Sequence, residues 1–247
     1  MTVLVEACVD SLRSAREAAA GGAGRLELCQ NLTEGGTTPS WGLLAEVREK
    51  VALPLHALIR PRGGDSLYSG DEIAVMLRDI AAARDLGADG LVLGALDAEG
   101  RVDSATLRRL LDVARPAAVT FHRAFDLGRD PAEALDALVA LGIERVLTSG
   151  QAATAEAGIP RLAELVVRAA GRIEILAGGG IQASNAARIV RETGVREIHV
   201  RGSKEMDSAM AFRRTNVQMG KRYEPDEYRR IETEATRVQA IVAAVNG

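Results

Sequence analysis

The chain has few cysteines, no long apolar run and no block of like charge. Each of these absences excludes a class of protein. Two cysteines in 247 residues are too few for the disulfide framework of a small secreted domain, so we expect two free thiols. Lys and Arg number 31 against 34 Asp and Glu, and without a dense basic cluster we expect neither a nucleic-acid partner nor a membrane. No segment is apolar over the length of a bilayer, and the first residues lack the pattern of a secretory signal. We therefore expect a cytoplasmic protein whose partner is an ion, a small molecule or another protein.

Eight short apolar runs set the fold class. Each run ends in polar or glycine-rich residues and is followed by a helical pattern, which is the order of a parallel sheet with crossover helices. Eight such units close a (β/α)8, or TIM, barrel, an α/β fold whose functional sites lie at the carboxyl ends of the strands. The runs span residues 4–8, 26–29, 58–62, 91–94, 119–123, 146–149, 175–178 and 198–200.

The chain is long enough for one barrel and contains no low-complexity linker, so we predict a single domain over residues 1–247. The barrel is expected over about 1–203 and a C-terminal tail over 204–247. In this region the pattern predicts an irregular segment at 203–223 and an extra amphipathic helix at 225–245. Exposed apolar residues on that last helix would favour self-association, so we expect a homo-oligomer.

Strand alternation predicts that polar residues collect inside the barrel. Successive side chains of a strand point to opposite faces, and the outer face must be apolar because helices cover it. The residues that this rule turns inward are Leu4, Glu6, Cys8, Arg25, Glu27, Cys29, His56, Leu58, Arg60, Thr120, His122, His199 and Arg201, with Arg62 as a further candidate at the end of the third run. Isolated charges are unstable in a dry interior, so these groups should pair with one another or with a ligand. A structural ion-pair network and a catalytic or binding site both remain open.

The tail of the third strand is a candidate anion site. Arg60 and Arg62 flank a proline, and two glycines and Asp65 follow. The planar guanidinium group binds carboxylate or phosphate through paired donors, and glycine lets the backbone approach a ligand. Glu6, Glu27 or His122 would then act as a general acid or base. The alternative is that Asp65 and the buried glutamates neutralise both arginines.

A second candidate anion site follows the seventh and eighth strands. Gly179 and Gly180 end the seventh strand, and Arg201 ends the eighth. Barrels often bind phosphate at this position through glycine-loop amides and a helix amino terminus. The alternative interpretation is a plain tight turn.

The third candidate is a metal site. Cys8 and Cys29 occupy matching places on consecutive strands, which lie about 4.8 Å apart in a sheet, so two thiolates could face one soft ion such as copper(I). The residues that could supplement them are His199, Met206, Met210 and Met219. The alternative is that both cysteines are small buried hydrophobic residues.

Four ordered segments, residues 6–11, 27–36, 59–65 and 120–126, together resemble the CutC copper homeostasis family. Residues 147–151 and 178–181 extend the resemblance over nearly the whole chain up to the tail. The resemblance implies a cytoplasmic barrel associated with copper handling, with copper(I) ligands at Cys8 and Cys29. It implies no established reaction. After the eighth strand His199 is kept, but residues 200–202 differ from the small polar residues usual in the family.

Two functional hypotheses follow. The first is a copper homeostasis protein that binds copper(I) through Cys8 and Cys29. The second is a TIM-barrel enzyme that acts on a small carboxylate- or phosphate-bearing substrate by acid/base chemistry. The second requires an open cavity at the carboxyl ends of the strands, with Arg60, Arg62 and His122 at its wall.

Overall fold

The computed structural model of this protein describes residues 2–217, 219 and 227–247. Its centre is a closed barrel of eight parallel strands in chain order, in which the eighth strand pairs with the first. The strands are β1 (Leu4–Val9), β2 (Arg25–Leu28), β3 (Leu55–Leu58), β4 (Gly90–Leu93), β5 (Ala118–Phe121), β6 (Arg145–Thr148), β7 (Glu174–Gly178) and β8 (Glu197–Val200). The predicted (β/α)8 barrel is confirmed.

Helices follow the barrel strands and cover the outside of the barrel. They are α1 (Leu12–Ala20), α2 (Trp41–Lys50), α3 (Gly70–Asp85), α4 (Ser104–Ala114), α5 (Pro131–Ala140), α6 (Ile159–Ala169), α7 (Ala183–Thr193) and α8 (Ala235–Asn246). Polar side chains fix where several of them begin. Ser40 accepts a hydrogen bond from the amide of Leu43, and Asp130 caps α5 directly before a proline. Such caps satisfy amides that have no partner inside the helix.

The apolar residues form two separate clusters, as strand alternation requires. The larger lies between the strands and the helices and includes Leu26, Leu28 and Val9. The smaller lies inside the barrel and consists of Cys8, Cys29, Leu58 and Val92, with Leu32 packed against it. The remaining inward positions are therefore free for polar groups. Strand register sets which of these groups become neighbours.

The barrel register places opposite charges side by side. Glu6 on β1 is level with Arg25 on β2 and with His199 on β8. Cys8, two residues further along β1, is level with Glu27. Because side chains two apart share a face, these residues occupy successive layers inside the barrel.

The C-terminal part of the chain differs from the sequence prediction. The segment expected to be irregular contains β9 (Ser203–Asp207), which pairs antiparallel with β10 (Arg229–Thr233). The helix expected to begin at residue 225 begins at Ala235, after β10. Ser14 and Glu17 of α1 accept the amides of Thr233 and Ala235, which fixes this start. Residues 218 and 220–226, which those two predictions included, lie outside the described residues.

The last helix is the eighth helix of the barrel and not an extra one. α8 packs between α7 and α1, with Val238 and Ile241 buried. The apolar residues from which self-association was inferred therefore face the barrel. Exposed apolar side chains occur instead before β10, at Met210 and Phe212. The homo-oligomer stays a prediction.

None of the helices in the described part of the chain combines the length and the apolar character needed to cross a membrane.

The close approach of α8 to Gly21 is testable. A Cβ atom at Gly21 would lie 2.6 Å from both the Ala235 oxygen and the Val238 Cβ. We expect Gly21→Ala to lower the free energy of unfolding by about 1–3 kcal/mol, because the helix must shift. Gly42→Ala is the matched control, since nothing lies within 4 Å of its Cβ, and it should stabilise α2 by about 0.5–1 kcal/mol. Denaturant unfolding measures both, and equal effects would contradict the packing of α8.

Candidate functional site

The lower interior of the barrel contains a buried ion-pair network. The Nε of Arg25 lies 2.5 Å from the Oε2 of Glu6, and its second arm pairs with Glu197. Arg145 approaches the same Glu197 oxygen at 3.0 Å. Two acids and two bases thus neutralise one another where water is excluded. Burial alone would raise the pKa of Glu197, but Arg25 and Arg145 lower it overall. The structural interpretation of the inward charges therefore holds for these four residues.

His199 connects this network to the residues above it. Its Nδ1 lies 2.8 Å from the Oε1 of Glu6, and its Nε2 lies 3.5 Å from the Oε2 of Glu27. Burial lowers the pKa of His199, but Glu27, Cys8 and Glu6 together raise it well above its ordinary value. These contacts favour the protonated form of His199, whose two ring nitrogens both face carboxyl oxygens. Burial would raise the pKa of Glu6, but His199 and Arg25 hold it well below its usual range.

The pKa of Glu27 differs from that of Glu6, because burial is the dominant influence on Glu27. Burial raises the pKa of Glu27, although the His199 charge partly offsets this effect. Glu27 also lines an open cavity, whereas Glu6 lies beneath it. A carboxyl group with a raised pKa and access to ligand can hold or release a proton. Of the two predicted acid/base glutamates, the environment favours Glu27.

The two thiols are in contact. Cys8 Sγ and Cys29 Sγ lie 3.4 Å apart, and the Cys29 thiol donates to the carbonyl of Val9. The hydrogen bond with Cys29 and burial raise the pKa of Cys8 well above its ordinary value. The Cys8 contact lowers the pKa of Cys29, but burial and the charge of Glu27 raise it overall. Both thiols are therefore protonated until a ligand displaces the protons.

Potential metal donors collect around Cys8. Ligand atoms of Cys8, Glu27 and His199 lie within 4.8 Å of one another, which makes this the one such group of acids, histidines and cysteines among the described residues. Met206, Met210 and Met219 do not line the cavity, and the last two are exposed. The thiol contact predicted from strand alternation is thus present, and the predicted methionine donors are not part of it.

An open cavity of about 870 Å³ lies at the carboxyl ends of the strands. Its lining includes Cys8, Glu27, His122 and His199, and loops that follow five of the strands form its wall. The chain thus carries a cavity where the enzyme hypothesis requires one. Its volume far exceeds that of a single metal ion.

The arginines of the third tail interact mainly with the protein itself. The guanidinium of Arg60 lines the cavity but donates to the carbonyls of Glu34, Gly36 and Gly64 at 2.6–2.9 Å. It joins two loops.

Arg62 and Asp65 do not line the cavity. Arg62 pairs with Glu72 at 2.5 Å and with Asp65 at 3.1 Å. The expectation that both arginines lie at the cavity wall is met by Arg60 alone, because nearer carboxylates hold Arg62. The contacts of Arg62 match the alternative interpretation, in which Asp65 and other carboxylates neutralise the arginine.

The glycine loop after β7 offers free amides to the cavity. Gly179 and Gly180 have φ of 107° and 73°, a conformation that favours glycine. Both line the cavity, together with Ile181 and the beginning of α7. Within the described residues, the amides of Gly179, Gly180 and Ile181 have no hydrogen-bond acceptor. Consecutive unpaired amides before a helix form a site suited to an anion.

Arg201 adds a positive charge to the same cavity. In the part of the chain that the structure describes, its guanidinium forms no hydrogen bond or ion pair. It lies close enough to Asp10 and Cys29 to lower the pKa of both, although burial outweighs it at Asp10. Arg201 is therefore available to a ligand, unlike Arg60 and Arg62.

Sequence reasoning did not identify Asp126 as an organising residue. Asp126 accepts hydrogen bonds from the Thr148 hydroxyl at 2.5 Å and from the amides of Ser149 and Gln151 at 3.1 Å. It also pairs with Arg123 at 2.7 Å. These contacts fasten the loop after β5 to the loop after β6. Asp126 lies in segment 120–126 and its partners lie in segment 147–151. In the sequence analysis these two segments contributed only to the family resemblance.

The comparisons with known proteins agree with one another. The CutC family model matches residues 3–204. A CutC family protein of Bacteroides thetaiotaomicron is 47% identical over 241 residues, which cover 97% of each chain. Human and mouse proteins named copper homeostasis protein cutC homolog are each 48% identical over 240 residues, covering 97% of this chain and 88% of theirs.

Solved structures show the same relationship. A CutC protein from Streptococcus agalactiae superposes with a TM-score of 0.77 at 36% identity, covering 80% of this chain and 98% of that one. A phosphoribosylanthranilate isomerase from Thermotoga maritima superposes with a TM-score of 0.59 at 10% identity, covering 99% and 98% of the two chains. The second likeness shows the barrel fold alone.

Two buried neutral histidines should make the fold sensitive to acid. Burial lowers the pKa of His56 to about 4 and that of His122 to about 3. An imidazole in the unfolded chain takes up a proton below about pH 6.5. Between that pH and the folded pKa the unfolded state therefore binds more protons, and the free energy of unfolding decreases as the pH is lowered. From pH 7 to 5 each imidazole should remove on the order of 2 kcal/mol from the free energy of unfolding.

Denaturant unfolding at the two pH values tests this effect. The double variant His56→Asn, His122→Asn should lose less stability than the wild type between pH 7 and 5. His199 is present in both proteins, so its own contribution cancels in the comparison. Its pKa is raised in the folded state, and its contribution therefore opposes that of His56 and His122. Parallel pH profiles for the two proteins would contradict the assignment.

Proposed function

Because the chain belongs to the CutC family, we propose that it binds copper(I) through Cys8 and Cys29 at the floor of the cavity. The observation that carries the proposal is the 3.4 Å contact between the two sulfur atoms, one of which lines the cavity. Copper(I) prefers soft thiolate ligands. The cavity gives the ion a route to Cys8, and Cys29 lies directly behind. A compartment that keeps thiols reduced, such as the cytoplasm, suits such a site.

The surroundings favour copper(I) over a zinc site at the same residues. Both ring nitrogens of His199 face carboxyl oxygens, so a metal has to displace a proton from the ring before His199 can bind it. Without His199, the nearby donors are two thiols and Glu27, fewer than the four ligands of a structural zinc site. Two thiolates and one copper(I) ion carry a net negative charge. His199 and Arg201 lie near enough to compensate it.

A copper(I) titration of the reduced protein against a chromophoric chelator tests this proposal. The wild type should bind one equivalent, and the double variant Cys8→Ser, Cys29→Ser should lose that binding, because hydroxyl groups are poor ligands for a soft ion. Affinity should rise with pH, since binding displaces two protons. Met210→Leu is the control and should bind like the wild type. Unchanged binding by the serine variant, with the fold verified by circular dichroism, would refute the site.

A second function is favoured by a different observation, the 870 Å³ cavity with its unpaired cation. We propose that this cavity accepts a small substrate bearing a carboxylate or phosphate group. Gly179, Gly180 and Arg201 would bind the anionic group, and Glu27 would act as acid or base. Glu6 has less support in this role, because it is fully buried and held ionised by His199 and Arg25.

Calorimetric titration with inorganic phosphate and with acetate, one probe for each anion class, tests the second function. Arg201→Gln should weaken binding about tenfold or more, as expected for loss of a charged hydrogen bond. Arg168→Gln is the matched control, since Arg168 pairs with Asp136 on the surface. If neither anion binds the wild type, or if both variants bind equally, the anion-binding role is wrong.

A further inference from the structure

His122 has a well-defined place in the cavity. It follows β5, is 6% exposed and lines the cavity beside Arg123. Its ring packs against residue 94, where a Cβ atom would come within 2.7 Å of the ring Cε1. Only glycine at that position leaves room for the imidazole. Glycine directly after β4 therefore makes the space that this ring occupies.

One hydrogen bond fixes the tautomer of His122. The amide of Ala124 donates to Nδ1 at 3.1 Å. Nδ1 must present a lone pair to this donor, so it carries no proton. The proton of the neutral ring is consequently on Nε2, which is a donor and not an acceptor. Burial, together with the charge of Arg60, keeps the pKa of His122 near 3 and the ring neutral.

The Nε2–H donor has no acceptor. Among the described residues, no protein atom lies in hydrogen-bonding position to the buried Nε2. Leaving a buried donor unpaired costs about 1–3 kcal/mol. The protein nevertheless holds the ring rigidly through Ala124 and makes space for it at Gly94. The ring that carries this buried donor lines the cavity, so a ligand that packs against the ring can supply the missing acceptor.

We propose that His122 is a binding residue for an uncharged oxygen, a hydroxyl or a carbonyl, of a small organic anion in this cavity. The proposal rests on the second proposed function and specifies its ligand. The anionic group binds at Gly179, Gly180 and Arg201, and the uncharged oxygen accepts the Nε2–H of His122. A bare anion such as phosphate satisfies the first site alone.

The two parts of the site line the same cavity. Arg123, the residue after His122, packs against the glycine loop, and a Cβ atom at Gly179 would lie 3.5 Å from its Cζ. The neutral ring explains the preference for an uncharged oxygen, because it offers a directional donor without a net charge. It also argues against His122 as a copper ligand or a general base, since neither nitrogen has a free lone pair.

Calorimetry compares inorganic phosphate, which has only the anionic group, with glycerol 3-phosphate, which adds hydroxyl oxygens. The wild type should bind glycerol 3-phosphate about tenfold more tightly than phosphate, the effect of one hydrogen bond of typical net strength. His122→Asn should remove this difference and keep phosphate binding. Asparagine can still accept the Ala124 amide as a cap, which preserves the fold, but its amide group is too short to replace Nε2.

Two further measurements complete the test. His56→Asn is the matched control, because His56 is also buried with an unpaired ring nitrogen but does not line the cavity, and it should keep the tenfold difference. Nitrogen-15 spectra of a protein with three histidines assign the tautomer directly, and His122 should show a protonated Nε2 at pH 7.

The outcomes separate the two proposals. Equal affinity of the wild type for the two probes, or a difference that survives in His122→Asn, overturns the role of His122 and leaves the anion site standing. A proton on Nδ1 or a charged ring overturns it as well. If phosphate and glycerol 3-phosphate both fail to bind, the anion-binding function fails and the role of His122 falls with it.

Discussion

The rest of the structure depends on charge neutralisation inside a closed barrel. Arg25 pairs with both Glu6 and Glu197, and Arg145 pairs with the same oxygen of Glu197. Charges enclosed by apolar strands are tolerated only when each has an opposite partner, and removing one partner typically costs about 3–5 kcal/mol. This network fills the lower barrel and gives β1, β2, β6 and β8 a fixed relative position. His199 contacts Glu6 of this network, so the network also sets the position of the residues above it.

The charge network also sets the chemistry of the upper layers. Glu6 accepts a hydrogen bond from His199, which keeps His199 charged and directs its other nitrogen to Glu27. The imidazolium then lies beside the thiol of Cys8, where its positive charge favours a thiolate. Both proposed functions would draw on the same positive charges, those of His199 and Arg201. The two functions have separate principal groups, the thiols for copper(I) and the glycine amides for an anion, but they share Arg201.

Sequence reasoning was strongest for positions that depend on local periodicity. The alternation rule places Cys8, Glu27 and His199 inside, and the structure brings donor atoms of all three within 4.8 Å. It was weaker for the partners of these groups. Arg62 is on a loop whose path brings it to Glu72, ten residues further along the chain, and away from the cavity. The tail after β8 was also misjudged, because β9 and β10 are separated by a long segment and their pairing leaves no local signal.

The sequence by itself determined the barrel, the order of its strands and many of the side chains that enter its interior, but not Arg145 and Glu197, which complete the ion-pair network. These properties follow from the two-residue period of strands and from helical periodicity, which neighbouring residues express without outside help. Only the tertiary structure decided which charges neutralise each other, which arginine stays free and where the proton of His122 lies. Arg25 and Glu197 are 172 residues apart in the chain, and hydrogen bonds act over about 3 Å. Contacts of such short range between such distant residues exist only once the barrel has closed.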